Sequence, residues 1–106
     1  MALDPNEIEE RLRLKGLEWS DLDYAASLLE ETKKSVYSKL FLEAKEKTIA
    51  EREAWANAHQ DLKEHIEKMT LARREANSAK VRYDCAKEWT GLVRTSEATK
   101  RAELRG

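Results

Sequence analysis

The sequence predicts an all-α protein: an elongated antiparallel helical hairpin or coiled coil with one very long C-terminal helix and two short accessory helices. Three observations predict it. Charged residues make up 39% and apolar residues 41% of the 106, with only three Gly and one Pro. That is the composition of long solvated helices, not of a sandwich, a barrel or a doubly wound sheet. The stretch from Leu62 to Leu104 holds no Pro and one Gly, enough for a rod of roughly 65 Å at about 1.5 Å per residue. From Met69 its small or apolar residues fall on a heptad: Met69, Ala72, Ala76, Ala79, Tyr83, Ala86, Thr90 and Val93. Steps of three and four in alternation demand a partner helix and a left-handed supercoil.

The helices can be placed in order. Asp4-Pro5 opens the first, with Asp4 as N-cap and Pro5 at the first helical position. Ile8 and Leu12 give it an apolar face, and Gly16 sits where a left-handed C-terminal residue belongs, so it spans about 5–15. The second covers about 19–46, capped by Ser20 or starting a turn earlier to take in Trp19. Leu22, Ala25, Ala26, Leu29, Val36 and Leu40 form its face. Thr48-Ile49-Ala50-Glu51 matches a capping box and opens a short helix over about 49–57. Asp61 caps the long helix, about 61–104. Gly91 marks a bend, a close contact or a break in it. Residues 95–106 are polar, an end that projects or frays.

A chain this size forms one domain, 1–106, and buries only a thin core. Self-association is the economical remedy, so a homo-oligomer, a dimer or higher, is expected. Residues 1–61 carry 9 basic and 14 acidic side chains, and residues 62–106 carry 11 basic and 7 acidic. The C-terminal helix is thus electropositive unless the first half covers it. The single cysteine, Cys85, precludes an intrachain disulfide and fits a reducing compartment. No run approaches the roughly 20 apolar residues a membrane span needs, and the N-terminus lacks a signal-peptide core. A soluble, cytoplasmic protein without membrane association is expected.

No catalytic chemistry is legible. Asp61 and His65 are four residues apart with Glu64 nearby, short of a zinc-hydrolase pattern. Cys85 has no histidine close in sequence. No Gly-rich phosphate loop and no Gly-x-Ser-x-Gly elbow occurs. Paired carboxylates such as Glu9-Glu10 and Glu30-Glu31 read as solvated faces. The expectation is a non-enzyme with no cofactor and no metal.

The sharpest signal is a basic row at seven-residue spacing beside the heptad seam: Arg73, Lys80, Lys87, Arg94 and Arg101. With the seam at positions a and d, the row occupies position e. Flanking charges usually meet acids beside the partner's seam. With Leu22, Leu29 and Val36 as the a positions of the second helix, its acids Asp23, Glu30 and Glu31 fall at b and c. The row then faces another subunit or a polyanion, with Lys100 and Arg105 of the tail contributing. Trp19, Trp55, Tyr83 and Trp89 are candidate packing or interface residues, read first as closing the bundle. The aromatics also admit a hot spot or a base-stacking platform.

The opening ALDPNEIEERLRLKGLEWSDLDYAA, the segment LEETKKSV and above all VRYDCAKEWTGLVRTSEATKRAELR resemble small helical proteins of tailed phages and prophages. Those proteins bring no assigned activity, ligand or catalytic residue. The resemblance implies a phage origin, a host-cell cytoplasm and a setting near recombination or replication. Two functions follow as expectations. One is a non-enzymatic oligomerising adaptor that contacts its own copies, or another phage or host protein. The other is a direct nucleic-acid binder using the basic row.

Overall fold

The computed structural model describes residues 4–45 and 48–105. Among them are three helices and no strand. α1 is Pro5–Glu43, α2 is Ile49–Ala58 and α3 is Gln60–Arg105. α1 and α3 lie antiparallel along their lengths, α2 closes one end, and the whole measures 84 × 18 × 17 Å. The all-α class, the elongated hairpin and the very long C-terminal helix agree with the sequence reading.

The expected helices at 5–15 and 19–46 are one helix of 39 residues. Gly16 does not end it: no glycine of the described chain has a positive φ. Gly16 instead sits under Tyr83, whose Cε2 would lie 3.2 Å from a Cβ added there. Its missing side chain makes room for that ring. Asp4 caps α1 as expected, accepting from the Asn6 amide at 3.0 Å. Ser20 caps nothing. α1 stops at Glu43, so Lys45 lies beyond it and the expected end at 46 lies outside the described residues.

α2 begins where the capping signal puts it, with Thr48 Oγ1 accepting from the Glu51 amide at 3.1 Å. His59, not Asp61, precedes α3. Its Nδ1 accepts from the Asp61 amide at 3.0 Å, and that acceptor role leaves the nitrogen without a proton for the Asp61 carboxylate 3.8 Å away. α3 runs unbroken through Gly91, around which a Cβ would meet nothing. The tail is helical to Arg105, and residues 98–105 are all exposed.

Burial follows the heptad. In α3 the seam is buried or half-buried at Met69, Ala72, Ala76, Ala79, Tyr83, Ala86, Thr90 and Val93, and it extends back to Leu62 and His65. In α1 the facing residues are Ile8, Leu12, Trp19, Leu22, Ala26, Leu29, Val36 and Leu40. Ala26 and Ala76 are fully covered, as small residues between closely approaching helices should be. The largest apolar cluster lies at the α2 end, where Leu40, Ala56 and Leu62 are buried beneath Val36, Tyr37, Trp55 and Ile66.

Candidate interaction surfaces of the hairpin

The basic row finds acids within the chain. Arg73 Nη1 donates to Asp23 Oδ1 at 2.6 Å, its Nη2 to Ser27 Oγ at 3.2 Å and its Nε to Glu30 Oε1 at 3.1 Å. Glu30 first, then Asp23, hold the Arg73 guanidinium above its ordinary pKa. Arg94 pairs with Glu9. Lys80 places its ammonium 5.8 Å from the centre of the Trp19 ring, a cation–π contact. Arg101 reaches only Glu97 of its own helix, at 3.8 Å. Lys87, Lys100 and Arg105 form no ion pair with any described residue.

This corrects the register read from the sequence. The burial pattern makes Leu12, Trp19, Ala26 and Leu40 the a positions of α1, and Ile8, Leu22, Leu29 and Val36 the d positions. Glu9, Gly16, Asp23, Glu30 and Tyr37 then occupy e. They face the e row of α3: Glu30 beside Arg73, Glu9 beside Arg94, and Tyr37 packed with Ile66 around the end cluster. Lys87 falls opposite Gly16 in this ladder, and so it lacks a mate among the described residues. Of the acids expected at b and c, Asp23 and Glu30 flank the seam, whereas Glu31 lies at f on the outer side. Sequence reasoning missed this acidic row, although its seven- and fourteen-residue spacing matches that of the basic one.

The opposite broad face differs. Positions c and g of both helices lie there, crossed among the described residues by one ion pair between helices, Arg82 Nη2 to Glu18 Oε1 at 3.0 Å. The large apolar side chains left exposed by α1 are Leu14, Leu17, Tyr24, Leu28 and Leu42. Those of α3 are Leu71, Val81, Trp89, Leu92 and Leu104. All but Leu104, in the tail, stand at c, f or g, and none stands at b or e. Cys85, also exposed, lies among them at position c. The exposed large apolar side chains thus avoid the b/e face; they stand at the outer f positions and on the c/g face, where they alternate with charged residues such as Arg11, Asp21, Lys39, Lys68 and Glu75.

The other candidate residues are placed as follows. Trp19 is in the seam rather than at an end, stacked on Tyr83 with ring centres 5.6 Å apart and planes at 28°. Trp55 packs at the closed end against His59, ring centres 4.9 Å apart. Trp89, 39% exposed, is the one tryptophan turned substantially to solvent. His65 reaches α1 across the hairpin, its Nε2 2.7 Å from the Leu29 carbonyl and 3.4 Å from Thr32 Oγ1. As the carbonyl can only accept, His65 carries its proton on Nε2. No cluster of three metal-ligating side chains occurs among the described residues, and no helix there is long and apolar enough to cross a membrane. No protein-family model matches the chain, and no curated protein or solved structure matches it significantly.

Proposed function

We propose that this chain is a non-enzymatic helical adaptor of phage type that works by self-association in the host cytoplasm, accessory to phage DNA recombination or replication. The observation that carries the self-association is that the exposed large apolar side chains of the paired helices avoid the b/e face and gather at c, f and g. Randomly scattered exposed leucines need no explanation, but a set that avoids one face of the hairpin points to an interaction surface. The thin core adds to the case: its fully covered members are alanines, so folding leaves much apolar surface for association to remove from water. The phage setting rests on the resemblance of the chain's two ends. Light scattering at tens of micromolar tests the proposal. A dimer or larger species is expected, and a strict monomer overturns it.

Direct nucleic-acid binding by the basic row has less support. Arg73 and Arg94 are committed to acids of α1, and Lys80 to Trp19. Of the seven basic residues singled out, only Lys87, Lys100 and Arg105 have no ionic or ring partner among the described residues. A mobility-shift titration is expected to show no retardation of single- or double-stranded DNA even at about 50 mM salt, where phosphate contacts are strongest. Retardation that weakens steeply with salt would restore the nucleic-acid reading.

A further inference from the structure

We infer that two copies pair through the c/g faces about a two-fold axis parallel to the hairpin's long axis, each α1 lying against the α3 of its partner in a four-helix bundle. The inference rests on the proposed self-association and specifies its geometry. The intrachain contacts give the levels along the rod: Glu9 beside Arg94, Glu18 beside Arg82, Glu30 beside Arg73. On that scale Leu14 is level with Cys85 and Trp89. Leu28 is level with Leu71, and Asp21 with Arg82. An axis parallel to the rod keeps every level and exchanges the helices. Leu14 then meets the Cys85–Trp89 stretch of the second copy, Leu28 meets Leu71, and Asp21 meets Arg82.

Charge selects this axis over the other two-fold arrangement. On the c/g face Asp21 of α1 is level with Arg82 of α3, and Lys39 is level with Asp61 and Glu64. A two-fold axis in the interface but across the rod would stack α1 on α1 and α3 on α3. Bringing Leu14 over Leu28 that way centres the α1 pair on Asp21, so two copies of that carboxylate would oppose each other. The parallel axis instead sets Asp21 against Arg82 and Lys39 against Asp61 and Glu64, unlike charges at both contacts. It also leaves every helix antiparallel to both of its neighbours, the usual condition of short-loop bundles.

The test uses the full chain with Leu14→Cys beside the native Cys85. A disulfide needs Cα atoms within about 7 Å, so mild oxidation is expected to give covalent dimers of the variant and none of the wild type. Leu14 is 53% exposed, and the variant should keep its helical circular dichroism. As an independent measure, Arg82→Glu should weaken dimerisation at least roughly tenfold, and adding Asp21→Arg to the same chain should recover it. A monomeric wild type overturns the self-association and this geometry together. A wild-type dimer in which Leu14→Cys fails to cross-link overturns the geometry alone, as does one in which Cys85 links to itself.

Discussion

At the residue scale the two internal glycines of the helices are opposites. Each costs about 1 kcal/mol of helix propensity relative to Ala. Gly91 has open space around its Cα, so Gly91→Ala should stabilise the protein by about 0.5–1 kcal/mol, read as a higher urea midpoint. At Gly16 the same change meets the Tyr83 ring at 3.2 Å. The ring must give way, and it is itself stacked on Trp19. Gly16→Ala should therefore gain less than Gly91→Ala, and it should alter the near-ultraviolet signal of the stacked pair. The basic row makes a second contrast. Arg73 ties α3 to α1 through Asp23, Ser27 and Glu30, whereas Lys87 stands opposite a glycine. Arg73→Ala should lower the melting temperature, and Lys87→Ala should leave it unchanged. Added salt should shrink the difference, because exposed ion pairs are screened. Equal melting temperatures for the two variants would refute the ladder assigned here.

At the scale of elements, the seam is an alanine zipper with a leucine-rich clasp at the α2 end. Ala26 and Ala76 are fully buried, so the helix axes are set by the smallest side chain with a Cβ. Ala76→Leu should push them apart and cost about 1–3 kcal/mol. Leu40→Ala, in the clasp, should cost about 2–5 kcal/mol. Both are measurable by urea denaturation. The long seam, the capping box at Thr48 and the basic row were legible in the sequence because each is a periodic or local signal. The fusion of the first two helices was not. A glycine in a helix ordinarily weakens it, and only Tyr83, sixty-seven positions away in sequence, makes Gly16 useful where it is. The register of α1 was open for a different reason. Its apolar residues are numerous enough to support two heptad assignments, one led by Leu22 and one by Trp19 and Ala26. The complementary spacing of Glu9, Asp23 and Glu30 selects the second, but it becomes decisive only once α1 is continuous through Gly16.

At the scale of the whole molecule, the ribbon is 84 Å long and at most 18 Å across. Such a shape maximises surface, so association should carry a substantial part of the stability. The melting temperature should rise with protein concentration, which an isolated hairpin would not show. The direction of association is also open to measurement. Residues 98–105 extend exposed at one end of the hairpin. Their polar surface offers Leu104 as its one exposed large apolar side chain. An end-to-end contact there would have little apolar area to bury, whereas the lateral face has leucines along its length. Lateral pairing doubles the mass and thickens the rod while leaving its longest dimension near 84 Å. Small-angle scattering should therefore give a maximum dimension close to that of a single chain together with a doubled forward scattering. A maximum dimension approaching twice the single-chain length would place the contact at the tails and rule out the c/g face as the seat of association.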